Sequence, residues 1–148
     1  MGGQIALHVA SARPELVRSL VLVDSTGLPF AFRPLAHLRN LIHPYGARSL
    51  ATMMAHDLFR TGPLALLRSL GHVLRDDARP LLRALRMPVL LVWGEHDPLV
   101  PLTYARQMLE LVPQARLVVI PRAGHVPMWE NHVAFNRELL DFLRNNGE

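Results

Sequence analysis

Three runs of the chain, at residues 18–23, 88–93 and 116–120, are mostly apolar, and each is bounded by residues that turn or break the backbone. Short runs rich in Val and Leu read as strands covered on both faces, as in a parallel sheet. Around them, apolar positions recur at helical spacing. Residues 2–12 put Ile5, Ala6, Val9 and Ala10 on one face, and Pro14 stops that helix soon after. Residues 102–111 form a second helix, followed by Pro113. Residues 131–144 form a third, with Val133, Leu139, Leu140 and Leu143 directed inward and Gly147 just past its end. Each strand is followed by a turn-rich loop: Asp24-Ser25-Thr26-Gly27, Gly94-Glu95-His96-Asp97-Pro98 and Pro121-Arg122-Ala123-Gly124-His125. Strands alternating with helices predict a parallel sheet with right-handed crossovers. Three strands are few for such a sheet, and the pattern opens on a helix, so the series is entered midway.

Residues 34–86 have a different character. Leu, Ala, Arg and Met recur at helical spacing, broken by His43-Pro44, Gly62-Pro63 and Gly71, which predicts three or four short helices. Side chains such as Phe30, Tyr45, Met53 and Met54 exceed what one solvent-facing helical layer needs. They read as core, although Met and aromatic residues also suit the wall of an apolar substrate cavity. The expected division is a core helix and strand at 1–27, a helical layer at 28–86, and the remaining core strands, helices and polar loops at 87–148.

Composition narrows the class without changing this outline. The chain has 148 residues, half of them apolar. At that size about 68–70% of the unfolded surface can be buried, so a single packed core is attainable. There is no cysteine, which removes disulfides and thiolate sites. The net charge is +4 and every basic residue is arginine, but the arginines are spread along the chain. A nucleic-acid surface would gather them on one face, so a solvated surface with no nucleic-acid partner is expected. The apolar runs are too short to span a bilayer. The opening residues lack the basic and long apolar regions of a signal peptide. The expectation is therefore a cytoplasmic chain with no membrane partner. His8, His37, His43, His56, His72 and His132 show no metal-ligand spacing, and neither a metal nor an organic cofactor is expected.

Open parallel sheets carry their reactive groups in loops beyond the carboxyl ends of the strands. Asp24, Asp97 and His125 lie in such loops. Taken singly, Asp97 reads as a turn former and His125 as a surface residue. In loops after neighbouring strands they read as a carboxylate–imidazole pair. The carboxylate fixes the tautomer of the ring, and the ring takes a proton from a nucleophile. His96, adjacent to Asp97 in the same turn, is a weaker candidate base. Asp24 is a second candidate acid, although a turn formed with Ser25 and Gly27 is the simpler reading.

The stretch VLLVWGEHDPLVP resembles the acid loop of the α/β-hydrolase superfamily, and VIPRAGHVPMWE resembles its histidine loop. The opening MGGQIALHVASARPELVRSLVLVD is similar to the segment after the nucleophile in that family. The resemblance spans the whole chain, with 28–86 its least specific part. It implies the C-terminal part of an α/β-hydrolase fold: three parallel strands, flanking helices and a helical cap. The family runs nucleophile, acid, histidine, with the nucleophile in a G-x-S-x-G turn. By this resemblance Asp97 is the acid, His125 the base, and Met1 the residue after the nucleophilic serine. The Met1 backbone N–H would then be one oxyanion-hole donor, although as a true N-terminus it would carry an ammonium. Ser11, Ser19, Ser25, Ser49 and Ser69 all lack the G-x-S-x-G frame.

The implied reaction is hydrolysis of an ester, lactone or C–C bond of a small apolar substrate, with the serine absent from this chain. A truncated or non-catalytic binding module stays open. So does a relative of epoxide hydrolases and dehalogenases with an aspartate nucleophile, or a two-chain enzyme. In the family the strand before the nucleophile pairs with the strand at 18–23, so here that edge would be bare and prone to self-association. The isolated chain is expected to be poorly soluble or oligomeric; a sharp, concentration-independent monomeric unfolding transition would contradict this.

Overall fold

The computed structural model describes residues 2–28 and 77–146, with positions 43, 44, 51, 55, 59, 60, 62 and 68 between them. Met1 and most of the anticipated helical cap lie outside the described residues. The elements are α1 (Gly2–Ala12), a 3-10 turn (Pro14–Leu16), β1 (Leu20–Val23), α2 (Arg79–Ala84), β2 (Val89–Gly94), α3 (Leu102–Leu111), β3 (Ala115–Ile120), α4 (Pro127–Glu130) and α5 (His132–Asn146). The strands form one sheet in the order β1-β2-β3. All pairings are parallel, with Leu20 opposite Val89, Val23 opposite Val92, Val89 opposite Ala115 and Gly94 opposite Ile120. The fold is therefore the α/β arrangement that the alternating pattern predicts. Among the described residues, no helix is long and apolar enough to cross a membrane.

β2 is the central strand of the sheet, and all six of its residues are buried. Its side chains alternate between two cores, as the period of two requires. Val89, Leu91 and Trp93 pack with Leu7 of α1, Leu82 of α2 and Met108 of α3. Leu90 and Val92 pack with Ile120 of β3 and with Phe135 and Phe142 of α5. Each fully buried aliphatic side chain contributes about 1.5–3 kcal/mol relative to exposure, so these two layers hold the sheet and, through it, the loops at its end.

The apolar faces of two helices differ from the sequence expectation. In α5 the buried residues are Phe135 and Phe142, with Leu139 packed beside them, while Val133, Leu140 and Leu143 are exposed. Positions 135, 139 and 142 form an i, i+4, i+7 stripe, and the exposed three lie well around the helix from it. In α1 the buried stripe is Leu7 and Ala10, with Ala6 against it, while Ile5 and Val9 face outward. Both helices carry two apolar stripes, and the sheet takes only one. The short α4 has no counterpart in the sequence pattern; Pro127 at its first turn and the Asn131 side chain, which donates to the Pro121 carbonyl at 2.9 Å, set its entry and exit.

Candidate active site

Parallel strands bring their carboxyl ends to one edge, so the loops after β1, β2 and β3 meet there. The β2 and β3 loops are joined through backbone. Glu95 N–H donates to the Ile120 carbonyl at 3.0 Å, and His96 N–H donates to the Ala123 carbonyl at 2.9 Å. Gly94 makes the approach possible. A Cβ at that position would overlap the Gly124 carbonyl oxygen and sit 2.8 Å from its carbon and 2.9 Å from the Ala123 oxygen. The glycine therefore answers to contact between two loops rather than to a turn of its own.

Asp97 is completely buried. Its Oδ1 accepts the N–H groups of Leu99 at 2.7 Å and Val100 at 3.0 Å, a side-chain turn that Pro98 reinforces. The Trp93 indole N–H donates to the Val100 carbonyl at 2.7 Å and ties this loop back to β2. With Oδ1 so held, Oδ2 lies 2.8 Å from Nδ1 of His125. An ionised carboxylate only accepts, so Nδ1 carries the proton and the lone pair of the neutral ring is on Nε2. The His125 side chain keeps 22% of its surface exposed, against none for Asp97. A buried orienting acid below a partly accessible imidazole is suited to moving a proton.

Further carboxylates hold the histidine loop, and nothing in the sequence pattern singles them out. Glu130 Oε2 accepts the Gly124 N–H at 2.6 Å, and Glu95 Oε2 accepts the Arg122 N–H at 3.1 Å. Arg122 itself has a left-handed backbone with φ 56°. The signal that could have identified Glu130 is its place at the end of a Pro-started helical turn directly after His125. His96 is directed elsewhere: its Nε2 is 3.5 Å from Glu95 and its ring stacks on His43 with centroids 3.5 Å apart.

Asp24 departs from the expected turn. Its backbone is left-handed, with φ 42°, and its side chain is buried. Oδ1 accepts the Gly94 N–H at 2.9 Å, across the sheet, rather than capping Ser25 or Gly27. Burial, and then the negative charge of Asp97, push its carboxyl well above the usual aspartate range. Asp24, Asp97 and His125 each offer one donor atom within 4.8 Å of the others, a geometry that could hold a cation. Yet both Asp97 oxygens are already used, by two amides and by His125, so the set fits proton handling better than metal binding.

α1 brings its first turn to the same edge. It precedes β1 through a short turn and runs back along the sheet, so its start lies beside the end of β1. Gly3 is packed directly against Ser25, which comes just after β1, and no larger residue would fit without displacing the hydroxyl. Ser25 itself donates to the Thr26 carbonyl at 3.1 Å.

Comparison with known proteins agrees with this architecture. The profile described as the alpha/beta hydrolase family matches residues 1–138. The chain is 30% identical over 173 residues to a 2-hydroxy-6-oxo-6-phenylhexa-2,4-dienoate hydrolase of Burkholderia cepacia, covering 98% of this chain and 60% of that protein. It is 32% identical over 170 residues to a pimeloyl-[acyl-carrier protein] methyl ester esterase of Neisseria meningitidis, covering 97% and 66%. The structure of a thermophilic esterase superimposes with a TM-score of 0.73 at 31% identity, over 98% of this chain and 63% of that one. The chain thus spans about three fifths of the length of these relatives. With the profile covering nearly all of its sequence and three parallel strands presenting their loops at one edge, the chain belongs to the α/β hydrolase family.

Proposed function

We propose that this chain supplies the acid and the base of a serine hydrolase, Asp97 and His125, acting on an ester, lactone or C–C bond of a small apolar substrate. The observation that carries the reading is the 2.8 Å contact between buried Asp97 Oδ2 and His125 Nδ1 at the ends of adjacent parallel strands. In this reading His125 Nε2 takes the proton of the nucleophile and returns it to the leaving group, while Asp97 stabilises the imidazolium formed between. The nucleophile is a serine immediately before Met1 in the polypeptide. The packing of Gly3 on Ser25 supports this, because it sets the start of α1 at the edge where the pair lies. The names of the relatives, a phenylhexadienoate hydrolase and a methyl ester esterase, support a carbonyl compound as substrate.

The test is labelling with a fluorophosphonate of the polypeptide that includes the residues encoded before Met1. Label is expected on a serine in a G-x-S-x-G frame. His125→Ala should slow labelling by about 10²–10⁴, the usual contribution of a positioned general base. Equal labelling rates in the two proteins would refute the assignment of His125.

A further inference from the structure

The active-site edge holds a buried carboxyl group, Asp24, that the proposed proton transfer does not use. Asp24 is held in place twice over, by a left-handed backbone and by the Gly94 amide that its Oδ1 accepts at 2.9 Å. Its other oxygen, Oδ2, is buried away from solvent and accepts no N–H among the described residues, while the Asp97 carboxyl lies close enough to the Asp24 side chain for a hydrogen bond that requires a proton on one of the two. The groups facing Asp24 are Asp97 from the β2 loop, His125 from the β3 loop, Glu130 from α4 and the Gly94 amide at the end of β2. Among the described residues, no arginine is among the groups acting on it. A second anion here would be a desolvated charge beside an existing one, with the Gly94 amide the single neutral donor to it among the described residues. Such sites hold one proton between two carboxyl groups.

We propose that Asp24 is a neutral carboxylic acid in the folded protein and acts as a positioning residue, fixing the end of β2 through Gly94 and placing a hydroxyl, rather than a second negative charge, beside the Asp97 carboxylate. Asp97 is then the sole charge that orients His125. This inference deepens the proposed function, but the state of Asp24 is measurable without any catalysis, so the two can fail separately.

The proton has a consequence for stability whose sign is fixed. In the unfolded chain Asp24 ionises near the ordinary aspartate value, about 3.9; in the folded chain it does not. Between that value and its own raised value, the folded state holds a proton that the unfolded state has released. The contribution of Asp24 to stability is therefore fully present below the unfolded value and is lost as pH rises through the window.

The experiment uses the full chain with ¹³C-carboxyl aspartate and infrared spectroscopy at neutral pH, which tolerates any state of association. The wild-type chain should show a protonated-carboxyl band that Asp24→Asn abolishes. A wild-type spectrum without such a band overturns the proposal even if no variant folds. A band that persists in Asp24→Asn, or in Asp24→Ser as the second variant, overturns it too. Asparagine can keep the Gly94 contact and place an N–H₂ where the hydroxyl lay. Its melting temperature should therefore rise relative to wild type by about 3–5 °C per pH unit within the window. A gap that does not change with pH, or that moves the other way, shows an ionised Asp24 and overturns the proposal.

Discussion

Replacing Gly94 by alanine is expected to destabilise the chain by about 3 kcal/mol, the upper end of what an inserted methyl group costs in a packed interior. The reason is what the methyl would meet. Its neighbours are the carbonyl of Gly124 and the oxygen of Ala123, with the Gly124 oxygen in direct overlap. Both are backbone atoms, so no rotamer change can make room. Relief requires the β2 and β3 loops to part, and the parting would strain the Glu95–Ile120 and His96–Ala123 hydrogen bonds that join them. For a chain of this size the loss corresponds to about 6–12 °C in melting temperature, measurable by scanning calorimetry or circular dichroism. Gly124 immediately precedes His125, so displacement also moves the imidazole away from Asp97. A shift of about 1 Å at a reacting group can cost 10²-fold in rate. A melting temperature within 2 °C of wild type would show that the loops have slack that the geometry denies.

The contrast between what the sequence discloses and what it conceals tracks the range of the interactions. The three strands are legible because each is a short Val- and Leu-rich run, and β2 is buried on both faces. The loops after them are legible because Gly and Pro mark them, and the parallel order then sets Asp97 beside His125. The helix faces are not. α5 offers a stripe of Phe135, Leu139 and Phe142 and another of Val133, Leu140 and Leu143, both wholly apolar; only the position of the sheet selects between them. Asp24 reads wrongly as a local turn former because its partner is 70 residues away. Local turn chemistry suggests Ser25 and Gly27, whereas the register that puts Val23 opposite Val92 carries Asp24 to the amide of Gly94. Glu95 and Glu130 escape notice for the same reason. A carboxylate that accepts a backbone N–H in another loop leaves no periodic trace, and α4, four residues long, is too short to show one.

Under the proposed function, substituting Asp97 by asparagine is expected to leave the fold nearly intact while reducing hydrolysis by the polypeptide that carries the nucleophile by about 10⁴, the penalty for a wrong histidine tautomer. The two halves of that expectation come from the two oxygens. Oδ1 accepts from Leu99 and Val100, and a carboxamide oxygen can do the same. The loop therefore keeps its turn, and the Trp93–Val100 bond that anchors it is untouched. With the amide oxygen committed there, the amide nitrogen must occupy the place of Oδ2, 2.8 Å from Nδ1 of His125. An NH₂ group only donates, so Nδ1 must accept, and the ring proton moves to Nε2. The nitrogen that should take the nucleophile's proton is then already protonated. The imidazolium also loses its countercharge, so even the rarer productive tautomer is a poorer base. Asp97→Ala removes the orienting oxygen and the turn together, and it should lower the melting temperature as well as the rate. The comparison separates the roles: equal melting temperatures for wild type and Asp97→Asn, with a rate lower by about four orders of magnitude in the polypeptide that carries the nucleophile, assign Asp97 to the tautomer. A rate for Asp97→Asn within tenfold of wild type would instead mean that another group orients His125, and Asp24, which offers an oxygen within 4.8 Å of the His125 ring nitrogen, would be the residue to substitute next.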